Sequence, residues 1–345
     1  MSQRKFLNEI SLVRPILILL LVLYHSFAPW TGSWSPFNGF EQNKIYWWIG
    51  QFAYSFMLPM FTFISGYVWA FQREKLMRKD CFRQLCIKKF KRLYIPSLIF
   101  STVYILLYKS PPTSFAECID YVSHILKGVG HMWFLPMLFW CFVFCYFILI
   151  IPYRSIRRII VVFLPIISVL PLPLQMNQAC FYLVFFYFGY EIMLISDRIR
   201  NLATKFTICC ISVLFVALFV TLIQVNMYLQ EYSNDIHVLY KVCRILIIIL
   251  CRIIYASVGI FAIILIAIRY TSNHVLSKLT IEIGTLCFGI YLYQQFILIF
   301  LYYHTDLPVL LGNIMLPWLG FCFTLLCSFL LTYITRLSRI GKRFI

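Results

Sequence analysis

Charge is what this sequence has least of. Only 12 % of its 345 residues are Asp, Glu, Lys or Arg, where a water-soluble domain carries about 25 %. Such a chain cannot cover a surface in water, so lipid must cover it, and a soluble globular protein is excluded. The 13 cysteines, an odd number, include no Cys-x-x-Cys pair. Most sit inside apolar runs and read as small buried hydrophobes, and a Cys118–Cys180 bridge on the outer side is the one pairing considered. No internal repeat, low-complexity tract or separate soluble domain interrupts the chain, so residues 1–345 read as one membrane domain. The first apolar run follows Arg4 and Lys5 but lacks a small-x-small cleavage site, and nine more runs come after it. It reads as a retained helix and not as a signal peptide.

What the sequence has in excess is apolar and aromatic: 62 % hydrophobic residues, 34 Phe, 23 Tyr and a mean hydropathy of +0.86. Runs long enough to span roughly 30 Å of hydrocarbon fall at 11–29, 46–70, 93–108, 132–151, 158–173, 178–195, 204–228, 243–268, 283–303 and 312–335. The fifth is short and interrupted by Pro165, Pro171 and Pro173. The expected fold is an all-α bundle of about ten transmembrane helices with both termini cytoplasmic. Orientation follows from Lys and Arg: 23 fall in the segments on the side of the N-terminus and 5 on the other, while Arg14 and Arg252 lie within spans. That bias obeys the positive-inside rule through ten crossings. It also accounts for the formal net charge of +18, so nucleic acid is not an expected partner and membrane lipid is.

Polar groups at lipid depth are expensive and face a protein interior or a wet cavity. The first helix carries two, Arg14 and His25. Eleven residues make three turns plus 20°, so both lie on one face, about 16.5 Å apart along the axis. Two readings fit this geometry. One is a snorkelling arginine with a hydrogen-bonded structural histidine; the other is a cation at the inner mouth and an imidazole toward the outer one. Arg252 sits about a third of the way into the eighth run and is expected to face inward, either paired with Glu191 or Glu282 or in contact with a substrate. The segment from Arg73 to Arg92 is amphipathic and polybasic, which suits an inner-leaflet surface facing anionic lipid. His124, His131, His237, His274 and His304 show no i,i+4 ligand pair and no carboxylate pattern, so no metal site is expected. Ser65 reads as a close-packing residue.

At this point the residues carry a resemblance. Arg14, ten residues and then His25 resembles the R-x10-H signature in the first helix of the acyltransferase-3 family. Those are ten-helix membrane enzymes that O-acylate sugars and cell-surface polysaccharides. Phe61-Thr62-Phe63-Ile64-Ser65-Gly66-Tyr67 is similar to the Ser-Gly end of the family's second helix. Lys88-Lys89-Phe90-Lys91-Arg92-Leu93-Tyr94-Ile95-Pro96 is similar to its basic, Pro-terminated approach to the third. Gly130-His131-Met132-Trp133-Phe134-Leu135 resembles its outer Trp-Phe-Leu segment. Phe186-Tyr187-Phe188-Gly189-Tyr190 and Gly289-Ile290-Tyr291-Leu292-Tyr293-Gln294 resemble later aromatic motifs. Pro15 replaces the family's usual Gly, a change expected to fall in the helix's first turn, and Gln294 stands where many members carry His.

The resemblance implies acyl-CoA, most simply acetyl-CoA, as a donor substrate, with no permanently bound cofactor. It implies a hydroxyl of a surface glycan or a lipid-linked glycan as acceptor, and a place in the plasma membrane, the inner membrane of a bacterium. His25 and Arg14 become the catalytic candidates, with Arg14, Arg92 and Lys88 for the CoA phosphates. His131, Trp133 and Arg252 become acceptor contacts. An imidazole, with an ordinary pKa of about 6.5, suits removal of a hydroxyl proton near neutrality, and bidentate geometry favours Arg over Lys at a phosphate. The rival is a transporter or flippase for a polysaccharide precursor. Transporters often show repeated halves and broken helices, and no repeat is visible here. A lipid-binding scaffold would leave Arg14 and Arg252 without purpose.

Overall fold

The computed structural model describes residues 2–74, 81–231, 238–273 and 278–339, with Leu276 and Gly341. Helix makes up 85 % of it, and no strand occurs among the described residues. After α1 (Ser2–Ser26) and a long loop, α2 (Lys44–Glu74) runs back. α3 (Phe82–Lys89) passes through a π-helical turn (Phe90–Tyr94) into α4 (Ile95–Tyr108). The short α5 (Phe115–Lys127) and a 3-10 turn (Gly130–Trp133) precede α6 (Phe134–Ile150). Then follow α7 (Arg154–Ile167), α8 (Met176–Leu194), α9 (Ser196–Asn201), α10 (Lys205–Glu231), α11 (Val238–Asn273), α12 (Lys278–Tyr303) and α13 (Leu307–Leu337).

Each of the ten apolar runs falls on a helix, and seven described stretches are long and apolar enough to cross a membrane. The other three runs are α2, α7 and α8. α7 has 14 residues, about 21 Å of helix, because the chain leaves the helix at Ser168, short of Pro171 and Pro173. α2 and α8 are long enough, but Tyr, Gln and other polar residues lower their hydropathy. These two make the most extensive helix contact in the molecule, so much of their surface meets protein instead of lipid. Their crossing rests on two glycines. A Cβ at Gly66 would overlap the Phe186 carbonyl oxygen, and one at Gly189 would overlap that of Phe63. Small residues permit such close backbone approach. The Ser-Gly and aromatic-Gly motifs are therefore two halves of one contact.

Ile159, Val162, Phe163 and Ile166 on α7, with Val213 and Val216 on α10 and Phe323 and Leu326 on α13, are exposed. That belt needs lipid. Polar ties lie at the helix ends. Glu191 of α8 accepts from Arg154 at 2.7 Å and Arg158 at 2.8 Å on α7, and buried Glu9 of α1 meets Arg200 of α9 at 3.5 Å.

Three expectations need correction. Pro15 lies in the interior of α1 and not in its first turn, so it has no N–H for the Ser11 carbonyl. Gly284 of α12 packs against that carbonyl, 3.4 Å from where its Cβ would sit. No Cys118–Cys180 bridge forms: Cys118 is exposed on α5 and Cys180 is buried on α8. The segment from 73 to 92 is divided, since α2 runs to Glu74, Cys81 is extended and a separate α3 begins at Phe82. Residues 75–80 between them lie outside the described residues.

Candidate active site

His25 is the penultimate residue of α1, which is continuous back to Arg14. Leu17, Ile18 and Leu21 fill the face between them and are buried. Just past His25 the chain folds over it. Ser33 and Trp34 donate backbone N–H groups to Ala28 O at 3.0 and 3.3 Å, and the Ser33 and Tyr24 hydroxyls bond at 2.7 Å. The Trp34 indole thereby stacks on His25, centroid to centroid 5.9 Å at 18°. α12 holds this loop: the Tyr302 hydroxyl donates to Ser26 O at 2.8 Å, and that of Tyr303 to Ser35 O at 2.6 Å.

His131, in the 3-10 turn, presents its ring edge-on to His25 at 5.9 Å. Its backbone N–H donates to Gln295 Oε1 at 2.7 Å. Its Nδ1 meets the same oxygen, and its Nε2 meets Tyr291 O at 2.7 Å. The Tyr291 hydroxyl donates to His131 O at 2.5 Å. Gly130 makes room for this arrangement. Its φ of 55° is open to glycine, and a Cβ there would sit 2.8 Å from Gln295 Oε1. α4 braces the turn from behind: Val129 N–H donates to the Ser101 hydroxyl at 3.0 Å, and the Ser97 hydroxyl donates to Met132 O at 3.2 Å.

The two histidines therefore differ. His131 is held through both ring nitrogens. His25 Nδ1 is buried with no hydrogen-bond partner among the described residues. Gln294, fully buried, turns its side-chain amide to the His25 ring. Buried polar atoms without partners are rare in folded proteins. His25 stands on the wall of a cavity, so its Nδ1 marks a place where a ligand's polar group fits. The cavity is about 500 Å³, walled by His25, His131, Tyr24, Trp34, Tyr54 and Trp133 among others. That size suits a small polar substrate with an orienting aromatic wall.

At the other end of the α1 face, Arg14 is half-buried, near Arg92 and Cys287. Arg92 is exposed and lies in the π turn. Pro96 has no N–H for the Arg92 carbonyl, so an α-helical bond cannot form there, and the wider turn takes its place. Lys88 is exposed on α3, while Lys89 beside it lays its ammonium 3.6 Å from the Phe142 ring centroid. Two nearby guanidinium groups repel, and a polyanion offsets that repulsion.

Arg252 does not face inward. It is exposed on α11 with its guanidinium 4.9 Å from the Phe181 ring centroid, where the ring face takes the place of a carboxylate. Glu191 is occupied by α7, and Glu282 is exposed. Arg252 is also not among the residues walling the cavity. Ser65 donates to Phe61 O at 3.0 Å within its own helix. His124 does have a carboxylate neighbour, Asp120 at 3.4 Å, one turn away on exposed α5. His304 packs on Tyr108 away from the site, and His237 and His274 lie outside the described residues. Among the described residues no three His, Cys, Asp or Glu side chains gather as a metal site.

Sequence reasoning missed Tyr24, Trp34 and Gln295. Tyr24 and Gln295 each sit next to a residue singled out from sequence, His25 and Gln294. Trp34 carried no signal, because only the loop's fold brings it back over α1.

A family model described as an acyltransferase domain matches residues 7–335. No curated protein and no solved structure matches the chain.

Proposed function

Since the chain belongs to the acyltransferase-3 family over nearly its whole length, we propose that it moves an acyl group, most simply acetyl, from cytosolic acyl-CoA to a hydroxyl of a cell-surface polysaccharide or lipid-linked glycan. It does so as a plasma-membrane enzyme with ten crossings and both termini inside, α2 and α8 being crossings packed on each other and α7 one cut short at Ser168. The observation that carries this reading is His25: a buried imidazole with an unpartnered Nδ1 on the wall of a 500 Å³ cavity.

In this mechanism the acceptor hydroxyl oxygen attacks the thioester carbonyl carbon while its proton passes to His25 Nδ1. The C–S bond then breaks, and the CoA sulfur leaves with the proton that His25 returns. The products are a sugar ester and free CoA, and the imidazole ends neutral. Arg14 and Arg92, with Lys88 at the rim, hold the phosphates of the nucleotide end. Leu17, Ile18 and Leu21 close the face between the two ends, so the donor's arm reaches His25 only when the helices part there. His131 and Trp133 shape the acceptor side.

Purified protein in detergent, given acetyl-CoA labelled in the acetyl group and fragments of surface glycan, should move label into an alkali-labile ester on sugar. Cells lacking the gene should lose that ester. Surface glycan that keeps every ester after deletion would refute the assignment.

A further inference from the structure

The cavity that holds His25 is not the only concavity on the outer side. A second, open groove of about 560 Å³ lies along the loop between α1 and α2, walled by Trp30, Thr31, Trp34, Ser35, Gln42 and Trp47 among others. Ser33 and Trp34 line both spaces. One face of the loop thus continues from the catalytic cavity out along the protein surface.

Three features define what this groove takes. None of the residues lining it is charged, so an ionic ligand would be poorly matched even though Glu41 and Lys44 stand close by in sequence. Two partly exposed indoles, Trp34 and Trp47, provide flat apolar faces beside the buried Trp30, while Thr31, Ser33, Ser35 and Gln42 provide short polar groups between them. Flat rings interspersed with uncharged hydrogen-bonding groups suit a ligand with apolar C–H faces and many hydroxyls. The groove is also firmly built. Trp30 donates its indole N–H to Glu41 O at 2.9 Å, and the Gln42 amide donates to Trp30 O at 3.1 Å. Asn313 of α13 donates to Gly39 O at 2.8 Å and accepts from Glu41 N–H at 3.0 Å. Phe27, Phe37, Tyr46 and Tyr302 pack beneath Trp30.

We propose that this groove is an extended acceptor subsite that binds the sugars flanking the one being acylated, so that the acceptor is an oligosaccharide or polysaccharide and not a single sugar. The inference rests on the acyl-transfer reading above. Trp34 stands at the junction, one wall for the reacting sugar and one for its neighbour. Binding energy from sugars in the groove is then available to orient the reacting hydroxyl.

The test uses the full-length protein in detergent, with acetyl-CoA and the surface polysaccharide of the cell that makes it, hydrolysed to fragments of one, two, four and eight sugars. The wild-type protein should acylate four-sugar fragments with a kcat/KM at least about tenfold above that for single sugars. Trp47→Ala removes a groove wall that does not line the catalytic cavity. Ser35→Trp fills the groove from an exposed position and keeps the Ser35 carbonyl that Tyr303 uses. Each should erase the preference by cutting the rate on long fragments about tenfold, the scale of truncating an aromatic anchor, while the single-sugar rate stays. Equal wild-type rates at every length, or variants that depress single and extended acceptors alike, would overturn the proposal but leave acyl transfer standing. No transfer to any length would remove the acyl-transfer reading itself.

Discussion

Replacing His25 with Ala separates a catalytic imidazole from a structural one. The side chain is 7 % exposed, but it stands at the wall of a cavity that already exists. Its loss forfeits the stack on Trp34 and the edge contact with His131, each worth about 0.5–1.5 kcal/mol at the strength of aromatic pairs. No hydrogen bond through Nδ1 is lost, since none is made. Stability should therefore fall by only about 1–3 kcal/mol, and the protein should still insert and purify. Turnover should fall much further. A general base supplies about 10²–10⁴ in rate, or about 2.7–5.4 kcal/mol of barrier. The assay is single-turnover acetyl transfer alongside acetyl-CoA binding and thermal melting in detergent. Binding should persist, because Arg14 stands about three turns from His25 along α1 and Arg92 lies near Arg14. Added imidazole should restore part of the rate in His25→Ala by occupying the vacated space. Folded His25→Ala that transfers acetyl at near wild-type rate refutes the mechanism. So does inactive protein that imidazole cannot rescue while melting far below wild type, since that describes a structural histidine.

Arg14→Ala should raise the Kd for acetyl-CoA about ten- to a hundredfold, the scale of a lost charge-assisted bond, with expression little changed; unchanged affinity in a binding titration would mark Arg14 as a snorkelling residue. Gly66→Ala or Gly189→Ala should destabilise the fold by at least about 1–3 kcal/mol through overpacking, because each new Cβ meets backbone of the facing helix, and an unaltered melting temperature would contradict the crossing. Gln295→Leu removes the oxygen that holds His131 by N–H and ring, so kcat should fall while acetyl-CoA affinity holds, and Gln295→Glu, which keeps an acceptor, should recover more activity than Leu. Reporter fusions after residues 40, 85 and 120 and at the C-terminus should read outside, inside, outside and inside; an outside signal at 85 would break the ten-crossing layout.

Much of the architecture was legible because lipid imposes a simple rule: an apolar run must become a helix. All ten runs became helices on that ground alone. Where the structure departs, the cause is contact with protein. α2 and α8 carry more polar residues than a lipid-facing span, since they pack on each other through Gly66 and Gly189. A charge within an apolar run predicts a carboxylate or a substrate for Arg252, whereas the Phe181 ring supplies a cation partner that spacing along a chain cannot reveal. Apolarity that begins near residue 11 predicts Pro15 in a first turn, whereas the helix itself begins nine residues earlier, at Ser2. A polar helical extension leaves no trace in hydropathy.

The site was legible only along single helices. Arg14 and His25 could be paired because helical periodicity fixes their common face, and the 16.5 Å between them follows from rise per residue alone. Nothing comparable links α1 to the Gly130–Trp133 turn or to α12, since those meet through loops whose paths hydropathy does not encode. The division of labour between the two histidines depends on those meetings. Gln295 and Tyr291 tie down His131 from α12, and Gly130 admits Gln295 only because it lacks a Cβ. Gln294, one residue earlier and so about 100° around the helix, turns to His25 instead. Two adjacent glutamines on one helix thus serve two different histidines, Gln295 fixing the turn and ring of His131 and Gln294 lying against the ring of His25. A sequence displays the two residues side by side, and only their angular separation on α12 assigns them opposite tasks.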